Sequence, residues 1–191
     1  MRSDVRKAIE ILRKGELVVY PTDTLYGLGA DIFNEDAVRR VYEIKRRPPH
    51  MPLAIMLSSV EEMGEYAFLN PLAEKIINAF MPGPITIILK KRDIVPDIIS
   101  KDSVGIRVVD CQAAREIAAE VVITATSANL HGGKQPCTID EAKEQLGGGV
   151  AFYMDYGKLP CTPSTVVDVS EGKLKIIREG AIGGDEIYGR L

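Results

Sequence analysis

Five polar segments of this 191-residue chain carry the side chains that could do chemistry. In Pro21–Gly29 (PTDTLYGLG) two threonines and Asp23 follow directly on an apolar run. Their oxygens could bind a small ligand, or they could cap a turn; on the residues alone both readings stand. Lys45-Arg46-Arg47 precedes Pro48-Pro49. Three cations with a rigid exit suit a polyphosphate, while basic residues at a helix end also answer the macrodipole. Ser103–Arg107 (SVGIR) puts an arginine in an otherwise apolar strand. A buried guanidinium is costly unless paired, by a ligand anion or by a structural Asp. Thr124–Asn129 (TATSAN) clusters small hydroxyls and an amide where a backbone could come close to a ligand. Finally, Pro163-Ser164-Thr165 and Ile177-Arg178-Glu179-Gly180 could face one cleft from two strand ends.

Several established chemistries are excluded. Gly133-Lys134 is followed by Gln135 and has no glycine five residues upstream, so there is no Walker A loop. Tyr26-Gly27-Leu28-Gly29 lacks the third glycine of a dinucleotide fingerprint. There is no GxSxG elbow and no HExxH. Cys111, Cys137 and Cys161 are odd in number, widely spaced and without a neighbouring histidine. They suggest no disulfide framework, no metal pattern and no thiolate nucleophile. With only His50 and His131 besides, no metal site is expected.

The elements that must position these segments can be read from periodicity. Val5, Ala8, Ile9 and Leu12 recur at helical spacing over residues 4–13. Leu17–Tyr20 reads as a buried strand closed by Pro21. A helix is predicted from about Asn34, its N-cap, to Lys45, stopped by Pro48-Pro49. Strands are predicted at 52–57, 85–89, 104–109, 121–124, 150–154, 164–169 and 174–177. Helices are predicted at 72–80, 112–120 and 138–146, the last opened by a Thr138/Glu141 capping box. Gly147-Gly148-Gly149 is the one candidate hinge, read as ending a helix before a strand. No repeat or linker divides residues 1–191, so the expectation is a single α/β domain with a twisted, mixed, open sheet flanked by helices.

Composition narrows the class. The hydrophobic fraction is 46% and the charged fraction 27%, as in folded globular proteins, which excludes a disordered chain. With no Trp, the core must be aliphatic. A net charge of -3 argues against wrapping duplex nucleic acid, although not against a small basic site. The N-terminus is charged every few residues, unlike a signal peptide, and no later apolar run reaches the ~18 residues of a membrane span. A cytoplasmic location with no membrane partner is expected.

Taken in order, PTDTLYGLGAD, KRRPPHMPLAIML, MPGPITIIL, VGIRVVD, TATSAN, PSTVVD and IREG resemble the YrdC-like family, the threonylcarbamoyl-AMP synthases, from Tyr20 to Gly180. The likeness is to the stand-alone form. It implies a twisted open sheet with a large concave, positively lined cavity. It also implies the formation of threonylcarbamoyl-AMP and pyrophosphate from L-threonine, bicarbonate (or carbon dioxide) and ATP, with Mg²⁺ accompanying the ATP. The product would feed N6-threonylcarbamoyladenosine formation at position 37 of tRNA through a separate threonylcarbamoyl-transferase complex. By motif, Thr24, Arg107, Ser127 and Ser164 match positions that hold threonine, Arg107 facing its carboxylate. Lys45, Arg47, Ser103, Asn129 and Arg178 match positions contacting ATP, and Lys45 and Arg47 would stabilise charge with no protein nucleophile. Met51 stands where some members carry Asn near the nucleotide, and Met56 where some carry His near the threonine. His131–Thr138 (HGGKQPCT) departs from the family pattern, so no ligand contact is assigned there.

Two other readings compete. One is a double-stranded RNA or tRNA-binding module without catalysis, with Lys90-Lys91-Arg92 adding positive charge. The other is a carbamoyl-adenylate maker for metal-centre maturation, a role that usually comes within a much longer chain.

Overall fold

A computed structural model of the chain describes residues 2–191. Helix α1 (Arg2–Arg13) lays Val5, Ala8 and Leu12 inward and leads to strand β1 (Val18–Tyr20). After the PTDTLY loop, β2 (Gly27–Gly29) turns back antiparallel to β1, pairing Val18 with Gly29. Helix α2 (Glu35–Lys45) starts where Asn34 accepts the Ala37 N–H, as the N-cap spacing predicts. It ends on Arg46 in the left-handed region, φ 52°. Strand β3 (Ala54–Met56), a four-residue helix α3 (Met63–Tyr66) and α4 (Pro71–Phe80) follow. Asn70 caps α4 with Pro71 at its first position, the residue whose missing N–H costs a helix least.

Next come β4 (Ile85–Lys90), β5 (Ser103–Arg107), α5 (Gln112–Ala118), β6 (Ile123–Thr124) and β7 (Thr126–Ser127). Helix α6 (Ile139–Leu146) opens with the expected Thr138/Glu141 capping box, and a 3-10 turn over 147–149 leads into β8 (Phe152–Tyr153). The chain closes with β9 (Thr165–Asp168), β10 (Lys175–Arg178) and α7 (Gly184–Gly189).

The single mixed α/β domain is as expected, with its strands shared between two mixed sheets. One has the order β7-β2-β1-β8, the other β10-β9-β4-β5-β3-β6. The larger sheet mixes parallel β3–β5 and β4–β9 pairs with antiparallel β4–β5 and β9–β10. Its core face is aliphatic, with Ile55, Ile85, Ile87, Leu89, Val104, Ile106 and Val167 buried against α2 and α4 residues such as Val41 and Ile76. A second cluster, with Val5, Leu12, Val18, Ile117 and Ile123, fixes α1 and α5 against the smaller sheet. Among the described residues no helix is long and apolar enough to cross a membrane.

The reading of the cysteines needs correction. Cys137 and Cys161 form a disulfide, with Cα atoms 5.0 Å apart across 24 residues of sequence. An odd count hid one bonded pair plus the free Cys111.

Candidate functional site

The site follows from the pleat of β5. Alternation buries Val104 and Ile106 and turns Ser103, Gly105 and Arg107 to the opposite face. There they meet Ala54 of β3, Thr86 and Ile88 of β4, Val166 of β9 and Arg178 of β10, which together floor a cavity of about 310 Å³. Register brings them level, Ala54 opposite Gly105 and Thr86 opposite Val166. The other wall comes from the smaller sheet and its loops: Tyr20, Thr22, Thr24, Tyr26, Thr126 and Ser127. Arg47 and Pro52 close one side, and Gln135, Pro163 and Ser164 another. Two glycines let these walls meet. A side chain at Gly27 would strike the Tyr20 ring, 2.6 Å from its Cζ, and one at Gly180 would collide with the backbone at Pro163 and Ser164.

Seven of the nine sequence-predicted residues line this one cavity: Thr24, Arg47, Ser103, Arg107, Ser127, Ser164 and Arg178. Lys45 and Asn129 lie behind its wall. Lys45 is 2% exposed. Its Nζ donates to the carbonyls of Ser127 (2.5 Å) and Asn129 (2.7 Å) and to Asn129 Oδ1 (3.4 Å). The Asn129 amide in turn accepts from Ser127 Oγ and donates to Gly133 O. Both therefore brace the β7 loop from beneath, where the motif pattern had put them on the nucleotide. The end of α2 turns Lys45 into the protein and leaves Arg47 facing the cavity.

Met51 and Met56 also lie off the wall. Met56 is fully buried in the second core cluster, and the Met51 carbonyl accepts from Tyr42 Oη. Sequence reasoning missed Tyr20, Thr86 and Gln135, while Thr22, one of the two threonines it singled out, does line the cavity. Thr86 had a usable signal, as the one polar residue of ITIIL at the position alternation turns away from Ile85 and Ile87.

The hydroxyls and cations are already organised. Arg107 Nη2 donates to Asp23 Oδ1 (2.5 Å) and Thr24 Oγ1 (2.6 Å). Thr24 Oγ1 also lies 3.0 Å from Thr22 Oγ1, which donates to Leu25 O. Arg178 donates through Nη2 and Nε to Ser164 O, 2.8 and 3.3 Å, while Ser164 Oγ pairs with Thr86 Oγ1 at 3.0 Å. Arg47 Nη2 donates to Pro52 O. The Nε atoms of Arg47 and Arg107 are buried without a protein partner, and an unpaired buried donor carries a desolvation cost that a ligand acceptor would remove.

Burial pushes the pKa values of all three guanidinium groups down; Asp23 offsets this at Arg107, whereas the Arg107 charge adds to it at Arg178. Burial, then Arg47, lowers the Lys45 ammonium to about 7. The lining holds three arginines and no carboxylate, in a chain of net charge -3. Nor do any three His, Cys, Asp or Glu side chains among the described residues group to hold a metal. A cationic hollow lined by small hydroxyls and no carboxylate suits a multiply charged anion beside a compact polar molecule.

The Lys90-Lys91-Arg92 run adds nothing to it. Lys90 pairs with Glu171, Lys91 with Asp97, and Arg92 lies over the Phe68 ring, 4.3 Å from its centre.

Residues 10–180 match the Sua5, YciO and YrdC family model, whose description is telomere recombination. A Methanocaldococcus jannaschii protein provisionally named a threonylcarbamoyl-AMP synthase is 44% identical over 182 residues, 93% of this chain and 87% of that one. The structure of Pyrococcus abyssi Sua5 complexed with L-threonine superposes with a TM-score of 0.93 at 34% identity, covering 98% of this chain and 57% of that one. The chain thus spans little more than half of the Pyrococcus protein. Escherichia coli YciO superposes at 0.89 with 28% identity, covering 98% of this chain and 94% of its own.

Proposed function

The chain belongs to the Sua5/YciO/YrdC family, and from that premise we propose that it is a threonylcarbamoyl-AMP synthase, a nucleotidyltransferase acting on L-threonine, bicarbonate or carbon dioxide, and ATP. The observation that carries this reading is the convergence of Arg47, Arg107 and Arg178, with Thr24, Ser103, Ser127 and Ser164, on one cavity whose lining is free of carboxylates.

Threonine's amine and carbon dioxide form a carbamate. A carbamate oxygen then attacks the α-phosphorus of ATP, the bond to the β-phosphate oxygen breaks, and pyrophosphate leaves. The carbamate brings its own nucleophilic oxygen, so the protein's contribution is position and charge neutralisation. That agrees with a wall that holds cations and hydroxyls and no acid–base pair.

Arg107, with Thr24, Ser127 and Ser164, holds the amino acid and faces its carboxylate. Arg47 and Arg178, with Ser103, hold the triphosphate and offset charge that builds as pyrophosphate departs. Lys45 and Asn129 act through the Ser127–Asn129 backbone they brace. The wall offers no carboxylate for a resident metal, so Mg²⁺ enters as part of MgATP. The adenylate then passes to a separate transferase and to tRNA.

The test is incubation with ATP, threonine and bicarbonate, followed by mass detection of threonylcarbamoyl-AMP and pyrophosphate. Omitting any one substrate should abolish the product. Absence of product with all three present, together with salt-sensitive RNA binding, would replace this reading with the RNA module.

A further inference from the structure

We infer that Asp23 is a positioning residue for substrate binding: it clamps Arg107 through Nη2 so that the guanidinium is held, ready-oriented, for the amino-acid carboxylate. Asp23 does not line the cavity; it sits behind Arg107. Its carboxylate spans two elements. Oδ1 accepts from Arg107 Nη2 at 2.5 Å, and Oδ2 accepts the Asp110 N–H, just past the end of β5, at 3.2 Å. Both partners of the ion pair are well buried, with side chains 12% and 11% exposed.

A guanidinium has five donors in a rigid plane, enough for two carboxylates on different edges. Asp23 and Thr24 saturate Nη2, and Nε remains buried with no protein partner. Nε–H shares its edge of the guanidinium with the clamped Nη2. A buried donor left unpaired beside the clamp is a polar group still wanting an acceptor, unlike those of a finished structural ion pair.

Two consequences follow. Arg107 arrives at the substrate without losing rotamer freedom, since Asp23 has already fixed it. Its charge is also compensated before any ligand enters, so this end of the cavity depends on the placement of the remaining donors more than on net charge. A triphosphate gains less from Arg107 than from Arg47.

This inference rests on the proposed synthase reading. Its test compares wild type with Asp23→Asn and Asp23→Glu, measuring L-threonine affinity by calorimetry, ATP affinity, and the KM of each substrate. Asp23→Asn keeps the shape and an acceptor but removes the charge. It is expected to weaken threonine about 10²-fold, the usual cost of misplacing a positioned group. ATP affinity should stay near the wild-type value, and kcat at saturating threonine should fall far less than kcat/KM. Asp23→Glu should recover part of the threonine affinity.

A merely structural Asp23 would lower both affinities together, along with the fraction of folded protein, and that outcome overturns the inference. So does unchanged or tighter threonine binding in Asp23→Asn, which would make Asp23 a competitor for Arg107. Wild type that makes no adenylate would instead refute the synthase reading itself.

Discussion

The two ends of the cavity are built on opposite electrostatic plans. At the α2 end, Lys45 has only carbonyl and amide oxygens as hydrogen-bond partners, and Arg47 has one carbonyl and an unpaired buried Nε. No carboxylate stands against either. At the β5 end, Arg107 is tied to the Asp23 carboxylate and the Thr24 hydroxyl. The first end holds cations at the expense of stability and so favours an anion that brings several charges. The second holds one cation at little electrostatic expense and recognises shape. A site for two substrates of unequal charge can thus be divided by where its single structural carboxylate lies.

The largest expected effect breaks the compensated end. Arg107→Ala should reduce threonine-dependent adenylate formation about 10²–10³-fold, since it removes the principal charged donor for the carboxylate. It also strands Asp23 as a lone buried charge, at a cost of about 3–5 kcal/mol. Asp23→Ala combined with Arg107→Ala should recover much of that stability while staying inactive. Urea unfolding beside the product assay separates the two losses. If the double variant is no more stable than Arg107→Ala alone, the pair is not the compensated unit described here.

The wall that joins the two ends gives the next effect. Cys137 lies one turn of chain from Gln135, and Cys161 shortly before Ser164; the Cys161 N–H donates to Thr24 O and the Tyr26 N–H to Pro136 O. Closing a loop of 24 residues is worth about 3 kcal/mol by loop entropy. Cys137→Ser with Cys161→Ser should lower the unfolding free energy by about that amount, with turnover retained at moderate temperature. Thermal melts with and without a dithiol reductant check it. A dithiol that leaves the wild-type melt unchanged, with the bond verified as reduced, would show that the backbone bonds alone hold the wall.

The uncompensated end gives the third. Arg47→Ala should weaken ATP about 10-fold, the loss of one charge-assisted phosphate contact, and leave threonine nearly unaffected. Rising salt should weaken ATP more than threonine in wild type, because only the α2 end relies on net charge. Equal salt dependence for the two ligands would erase the distinction between the ends.

What the sequence made legible divides along the same line. Elements with a period and a cap were readable: α1, α2 with Asn34, α6 with its capping box, and β4 and β5. Short strands such as β2 and β7 are too brief to show alternation, and α7 begins and ends in glycine. Its order comes from buried Ile187 and the Glu179 bond to the Gly184 N–H. The cationic and hydroxyl residues were found by type, and seven of nine meet. Lys45 turns into the protein, because one turn of helix decides whether a terminal lysine faces solvent, ligand or protein. The Asp23–Arg107 pair spans 84 residues and the disulfide 24, so no local spacing announces either.

The smallest effect reads the α2 end by its proton. Lys45 has an ordinary pKa of 10.5, and burial with Arg47 beside it brings this to about 7 in the folded chain. Between those values the unfolded chain keeps a proton that the folded chain has released, so the unfolded state binds more protons and stability rises with pH across that interval. Below about pH 7 both states are charged and the penalty is constant. Tyr20 sets the upper limit. Burial raises its phenol above the ordinary 10.0, so near pH 10 the unfolded chain loses the Tyr20 proton first and stability falls again. Urea titrations from pH 6 to 9.5 should show a rising slope that Lys45→Met flattens. A level wild-type profile would mean that the three oxygens around Nζ keep it charged throughout.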